Sequence, residues 1–192
     1  DAQIIEIEPG DENKTLETYT SVVQTLIEQG NDKNTQLIAL GGGMITDITS
    51  FIGATYKRGI DVYLVPTTLL SMVDATIGGK CGVNFGEVKN QIGCFLKKSI
   101  VCIEPTFLST LSERQILSGV AEMLKIALVC DFELFEKMIQ LSPLEIGQNK
   151  EYINKCIKLK QSVVKQDPFD KNYRNILNFG HTIGHASESI AM

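Results

Sequence analysis

The residues best suited to chemistry cluster near the end of the chain. There Asn178 to His185 reads Asn-Phe-Gly-His-Thr-Ile-Gly-His and holds both histidines of the 192-residue sequence. In a helix, Arg174, Asn178, His181 and His185 fall at steps of four, three and four and stack on one polar stripe. Gly180 and Gly184 repeat on the neighbouring face, where a missing side chain lets a ligand or another helix approach. A short exposed helix with incidental histidines would read the same way, so His-x-x-x-His needs a third partner before it means a site.

One partner is Glu122. Ala121-Glu122-Met123-Leu124-Lys125 places a carboxylate and an ammonium three apart on one helical face. The run from Ile116 to Val129 is otherwise almost wholly apolar apart from Ser118, so the pair is expected to be buried and to have partners. Glu122, His181 and one further histidine would make an open zinc site with room for water or substrate. The sequence offers only His185 as that further histidine.

Two glycine-rich stretches add polar chemistry. Leu37 to Leu40 reads as a strand running into Gly41-Gly42-Gly43 and then a helix over Ile45 to Ala54, the order that lets a pyrophosphate approach a helix N-terminus. Asp47 follows in about the first turn, where it could cap the helix or hold a ribose or water. A tight turn explains three glycines equally simply. In Val73-Asp74-Ala75-Thr76-Ile77-Gly78-Gly79-Lys80, an acid, two glycines and a base fall within eight residues, with Lys89-Asn90 close behind. Packing explains such a segment poorly, so it is expected to be a functional loop.

Elements must position these groups. Gln3 to Ile7 reads as a strand, Thr15 to Gln29 as an amphipathic helix stopped at Gly30, and Asp61 to Val65 as a β-branched strand stopped by Pro66. Thr67-Thr68 then fall where the strand's carboxyl end meets a ligand. Ile100 to Ile103 is a further strand. After Pro105 strand signals vanish, and helices are expected near Glu113 to Val129, Phe132 to Leu141, Glu151 to Gln166 and Arg174 to Ile190. The expected plan is an α/β half with a parallel sheet over residues 1–104, followed by an all-helical half over residues 105–192.

Composition limits the function classes. With 18 basic and 23 acidic residues the net charge is −5, so nothing suggests a nucleic-acid footprint, and an anionic ligand needs locally gathered cations. No apolar run approaches a membrane span, and the opening residues lack the pattern of a signal peptide, which makes the cytoplasm the default. Five cysteines without Cys-x-x-Cys spacing argue against a zinc ribbon or a disulfide framework. Cys81, inside a glycine-rich segment, is the one to watch, although a small filler residue is its simplest meaning.

Taken together, Gly41-Gly42-Gly43 with Asp47, Tyr56-Lys57-Arg58-Gly59, Val65-Pro66-Thr67-Thr68-Leu69-Leu70, Val73-Asp74 with Gly78-Gly79-Lys80, Lys89-Asn90-Gln91-Ile92-Gly93, Ala121-Glu122 and Asn178 to His185 resemble the 3-dehydroquinate synthase family. The resemblance runs from about Pro9 to the last residue. It implies a dehydroquinate synthase-like fold, an N-terminal Rossmann-like domain followed by a helical one. It also implies a cytoplasmic, homodimeric lyase using NAD and zinc or cobalt. Such an enzyme cyclises 3-deoxy-D-arabino-heptulosonate 7-phosphate to 3-dehydroquinate with loss of phosphate, in the shikimate pathway. In the family NAD transiently oxidises a secondary alcohol, which acidifies the neighbouring proton for phosphate elimination; hydride returns, the ring opens and an aldol closure follows.

Carried over by position, the resemblance assigns the NAD loops to Asp11, Lys14, Gly43, Met44, Ile45, Thr46, Asp47, Thr67, Thr68, Lys89, Phe107, Leu108, Ser109 and Thr110. It assigns substrate contacts to Arg58, Asp74, Lys80, Asn90, Lys125, Lys160, Arg174 and Asn178, a cationic cluster suited to a carboxylate and a phosphate. Glu122 and His181 match metal ligands; His185, Asp170, Lys80 and Lys125 match catalytic positions, His185 as a proton relay. Asp170 and Asp11 stand where the family has glutamate, and Thr46 where it has glycine. The family's third metal ligand, a histidine in His-Gly-Glu, and its first strands are not in the 192 residues, so the chain is expected to be the central portion of a longer protein. A non-catalytic NAD-binding remnant and a cyclase for another sugar phosphate are the alternatives.

Overall fold

The computed structural model describes residues 2–180. His181 and His185, and with them most of the expected Arg174 to Ile190 helix, lie outside the described residues. Thr15 begins the first helix because its hydroxyl accepts from the Thr18 amide at 3.2 Å, and α1 then runs Leu16–Glu28. Strand β1, Gln36–Gly41, leads into α2, Gly43–Thr55, and β2 follows at Asp61–Pro66. After a single π-helical turn, Ser71–Ala75, come β3, Lys80–Phe85, and β4, Val88–Phe95, then the short β5, Ile100–Val101.

Strands β1, β2 and β5 form a parallel sheet in the order β1-β2-β5, while β3 and β4 form a separate antiparallel hairpin. Ala39, Val62 and Leu64 are buried on one sheet face, with Ile45 of α2 packed against them. Gly53 is required there, because a Cβ would collide with the Val62 side chain. On the opposite face Ile38 is 67%, Leu40 60% and Ile100 51% exposed. Helices α3 (Glu113–Cys130), α4 (Phe132–Met138), α5 (Pro143–Gln148) and α6 (Lys150–Gln166) build the second half around Met123, Ile126, Met138, Ile146 and Ile153. That core also takes in Leu69, Met72, Val73 and Ile77, so the π-turn segment is anchored among the helices.

The architecture agrees with the expected parallel sheet and helical region, with local corrections. Gln3 to Ile7 is not a strand; Ile5 and Ile7 instead pack against the first-half core, and no strand among the described residues pairs with them. The expected loop carrying Lys80 and Lys89-Asn90 is the β3–β4 hairpin. Its alternation is masked by Gly82 and Gly93, which face each other so closely that a Cβ on either would strike the partner strand's backbone. Residues Tyr173–Asn178 form a 3-10 turn rather than α-helix, and Gly180 has φ 79°. With three residues per turn, Arg174 and Asn178 leave a common stripe: Arg174 is buried and Asn178 exposed. Helix α4 ends at Met138, and α5 begins separately at Pro143 behind the N-cap Ser142, whose hydroxyl and backbone share a capping box with Glu145.

Candidate active site

The parallel order of β1, β2 and β5 sends their carboxyl ends to one edge, where Gly42 to Asp47, Thr67-Thr68 and the 3-10 turn Pro105–Thr110 follow. Gly42 opens α2 without a side-chain cap, leaving the first amides of a 13-residue helix directed at the edge. A Cβ on Gly42 would press on Thr68 Cγ2 at 3.1 Å, so bare backbone is what keeps the cradle open. Thr68 is held in turn by Ser71, whose hydroxyl lies 2.8 Å from the Thr68 hydroxyl. Asp47 does not cap α2. It is ion-paired with the buried Lys14, which also donates to Asn90 Oδ1 at 2.6 Å. Burial pushes the Asp47 carboxyl up in spite of Lys14. Asp11 and Lys89 lie on the rim, both half exposed, 3.6 Å apart. Phe107 is exposed and Leu108 buried in the last of these turns.

A cleft of about 530 Å³ lies beside this edge, walled by Asp47, Asp74, Lys80, Asn90, Lys160 and Arg174 from both halves of the chain. Lys160, buried on α6, donates to the Asp74 backbone oxygen at 2.9 Å and pairs with its carboxylate. Burial raises Asp74, but Lys160 and then Lys125 outweigh it and hold the carboxyl below its ordinary range. Burial likewise draws Lys160 down. Arg174 is buried and donates to the carbonyls of Gly78 at 3.1 Å, Ile77 at 3.4 Å and Pro168 at 3.4 Å. This contact dictates Gly78, which has φ 102° and whose Cβ would collide with the guanidinium. Lys80 reaches across to pair with Asp170, itself in the left-handed region at φ 53°.

Glu122 and Lys125 are buried neighbours on α3, as expected, with Lys125 Nζ 2.7 Å from Glu122 Oε1. Among the described residues no group other than that ammonium reaches this oxygen. Burial first, then the nearby Asp74 charge, pushes the Glu122 carboxyl up to about 7. A buried carboxylate held by one ammonium and crowded by a like charge suits a divalent cation. Among the described residues no cluster of three or more His, Cys, Asp or Glu side chains forms a metal site, and the expected second ligand, His181, lies outside them.

The cleft thus gathers Asp47, Asp74, Lys80, Asn90, Lys160 and Arg174, with Glu122, Lys125 and Asp170 tied to members of its wall. It does not gather Arg58 or Asn178. Arg58 follows the far end of α2 in the left-handed region at φ 70°, roughly 20 Å along the helix from Gly43 by helical rise. Asn178 is exposed and bonded to Asn175. Three residues that sequence reasoning passed over organise the site. Asn84 accepts from the Asn90 amide at 3.0 Å and donates to the Asp11 carbonyl at 3.0 Å. Ser71 braces Thr68. Asp167 accepts from the backbone amides of Lys171, Asn172 and Arg174 at 2.9, 2.7 and 3.2 Å, which shapes the turn presenting Asp170 and Arg174. An Asp-Pro pair at a helix end was the available signal.

The family model described as 3-dehydroquinate synthase N-terminal matches residues 4–118, and the one described as 3-dehydroquinate synthase C-terminal matches residues 119–192. The chain belongs to the 3-dehydroquinate synthase family. Among curated relatives, the 3-dehydroquinate synthase of Sulfurovum sp. (strain NBC37-1) is 43% identical over 187 residues, covering 97% of this chain and 53% of that protein. The chain spans about half the length of the curated relatives it matches. Among solved structures, 2-deoxy-scyllo-inosose synthase, complexed with carbaglucose-6-phosphate, NAD+ and Co2+, superposes with a TM-score of 0.85 at 32% identity. It covers 97% of this chain and 52% of that one. The 2-epi-5-epi-valiolone synthase of Streptomyces hygroscopicus subsp. jinggangensis 5008, with NAD+ and Zn2+ bound, gives 0.82 at 32% identity, covering 91% and 51%. The dehydroquinate synthase-like fold expected of this family is therefore present, and no helix among the described residues is long and apolar enough to cross a membrane.

Proposed function

We propose that the whole protein is a 3-dehydroquinate synthase, converting 3-deoxy-D-arabino-heptulosonate 7-phosphate to 3-dehydroquinate and phosphate. The observation that carries this reading is the cleft that draws Asp47, Asp74, Lys80 and Asn90 from the first half and Lys160 and Arg174 from the second. When bound, NAD supplies a hydride acceptor that is regenerated within the turnover, and a zinc or cobalt ion supplies Lewis acidity.

The chain's own residues bind, orient and move protons around those groups. Residues Gly43 to Asp47, Thr67-Thr68 and Phe107 to Thr110 would hold the dinucleotide at the strand ends, with Asp11 and Lys89 nearby and Lys14 fixing Asp47. Lys80, Lys160 and Arg174 bring positive charge to the cleft of an acidic protein, which favours a substrate carrying a carboxylate and a phosphate. Arg174 commits donors to three carbonyls, which holds its plane still for the remaining N–H groups. Asp170 Oδ1 is buried with no hydrogen-bond partner among the described residues while Oδ2 is held by Lys80, a placement suited to accepting a proton at Oδ1. Glu122 with His181 would hold the metal ion, Lys125 would steady Glu122, and His185 would relay protons. The roles of Arg58 and Asn178 rest on the family resemblance alone.

The test is phosphate release and dehydroquinate formation by the full-length protein with NAD and zinc, run beside other sugar phosphates. Turnover confined to another sugar phosphate would make it a sister cyclase, and NAD binding without turnover would make it a non-catalytic remnant. The 39–43% identity to dehydroquinate synthases, against 32% to the two sister cyclases, favours the first outcome. A division near residue 105, a homodimer and a cytoplasmic location belong to the same proposal; limited proteolysis, light scattering and cell fractionation check them.

A further inference from the structure

Cys81 and Cys94 are directly opposed on β3 and β4, with their Sγ atoms 3.7 Å apart. Both are free thiols, and both border the cleft described above. Opposed residues of an antiparallel pair have Cα atoms roughly 4.5–5.5 Å apart, inside the disulfide window of about 4.4–6.8 Å. Closing the pair therefore asks for side-chain rotation rather than backbone rebuilding. The two differ in access. Cys81 is 7% exposed and donates to the Cys94 carbonyl at 3.3 Å, whereas Cys94 is only half-buried.

The rung beside this pair carries the machinery. Lys80 and Phe95 are also opposed; Lys80 pairs with Asp170, and the Phe95 ring lies 5.5 Å from that of Phe169. One rung thus holds the 169–170 turn of the second half against the hairpin, and the next rung is two thiols.

We propose that Cys81 and Cys94 form an oxidisable dithiol site that a small disulfide oxidant such as glutathione disulfide closes, and that closure lowers activity by disturbing the Lys80–Asp170 and Phe95–Phe169 contacts. The activity half of this inference rests on the function proposed above; the dithiol half does not. The chemistry balances with two thiols and one oxidant. The Cys94 thiolate attacks glutathione disulfide, forming a mixed disulfide and releasing one glutathione. Cys81 then gives up its proton and attacks the Cys94 sulfur, releasing the second glutathione and leaving the Cys81–Cys94 bond. Two protein thiols are oxidised, one disulfide is reduced, and both cysteine protons end on glutathione. The order follows access. Burial first and the Cys94 charge second push the Cys81 thiol up to about 12, so it does not lead. Once Cys94 is in the mixed disulfide its charge is gone, and burial remains the main brake on Cys81.

The test uses the full-length protein, incubated with glutathione disulfide and digested with trypsin without reduction. Cleavage after Lys80, Lys89 and Lys97 places Cys81 and Cys94 alone in adjacent peptides, Cys81 to Lys89 and Asn90 to Lys97. The expected result is a linked species of these two peptides, lighter by two hydrogens than their sum, together with a several-fold loss of activity that dithiothreitol reverses. Cys81→Ser and Cys94→Ser should each abolish both the link and the oxidant-dependent part of the loss. Glutathione retained on Cys94 with no linked peptide, or no reaction at either cysteine, would overturn the dithiol. A linked species with unchanged turnover would overturn the coupling to activity. An enzyme inactive even when reduced would count against the proposed function, while the peptide link would still decide the dithiol.

Discussion

Lys160 and Asp74 show how a single residue can hold two halves of a chain together. Lys160 is buried, and its partner carboxylate sits close to Glu122 as well, so removing the ammonium leaves two like charges facing each other. Lys160→Ala in the full-length enzyme is expected to lower kcat/KM by at least about 100-fold and to cost roughly 1–3 kcal/mol, discounted for the partial exposure of Asp74. Lys160→Met should recover part of the stability and none of the rate. Steady-state kinetics and urea unfolding check both, and unchanged kinetics in either variant would remove Lys160 from the substrate site. Gly78 makes a second case. Its φ of 102° and the Arg174 guanidinium over its Cα leave no room for a side chain. Gly78→Ala should cost about 1–3 kcal/mol and raise KM by displacing Arg174. If Gly78→Ala matched the parent in both stability and KM, Arg174 would not be held as described.

At the scale of an element, α3 carries an internal conflict, a carboxylate set into an apolar face. Glu122 has an ordinary value of 4.5 and is raised to about 7, burial being the main cause. Its folded form holds a proton that the unfolded chain has already released across that interval. Its contribution to stability is therefore complete below pH 4.5 and is lost as the pH rises through about 7. Asp47 shifts in the same sense and Asp74 in the opposite one, so the comparison must be between parent and variant. In the metal-free full-length protein, Glu122→Gln should fall less in Tm than the parent across this interval. Adding zinc should raise the parent's Tm more than the variant's at pH 7. Parallel Tm curves for the two proteins, with equal responses to zinc, would show that Glu122 is neither strained nor a ligand.

For the whole molecule, the parallel sheet presents a physical problem. Such sheets are normally covered on both faces, yet here one face offers Ile38, Leu40 and Ile100 to solvent, each more than half exposed. The 192-residue chain on its own is expected to bind a hydrophobic dye such as anilinonaphthalene sulfonate and to aggregate, whereas the full-length protein should bind little dye and stay a discrete assembly. Ile38→Lys together with Leu40→Lys should reduce both behaviours in the 192-residue chain. Equal dye fluorescence from parent and double variant would place the exposed apolar surface elsewhere.

The linear order of residues determined a good deal by itself. Helices α1, α3 and α6 follow from apolar spacing, β1 from a short apolar run ended by glycine and β2 from a β-branched run ended by proline, because these are local properties of a few consecutive side chains. The buried Glu122–Lys125 pair was legible because two charges stand in an otherwise apolar run. The glycines at 41–43 and 78–79 marked the two segments that border the cleft. Tertiary structure decided what depends on distant partners. The β3–β4 hairpin exists because Gly82 and Gly93 let two backbones close, and neither glycine announces a strand on its own. Gln3 to Ile7 has the residues of a strand but no pairing neighbour among the described residues, and a ladder needs two. Arg174 was expected to share a stripe with Asn178; instead Asp167 collects three amides and turns Arg174 inward beneath Gly78. The separation of Arg58 from the cleft by the length of α2, and the meeting of Cys81 with Cys94, are likewise products of the folded chain. Side-chain chemistry is written residue by residue, whereas which groups share a cleft depends on long-range packing.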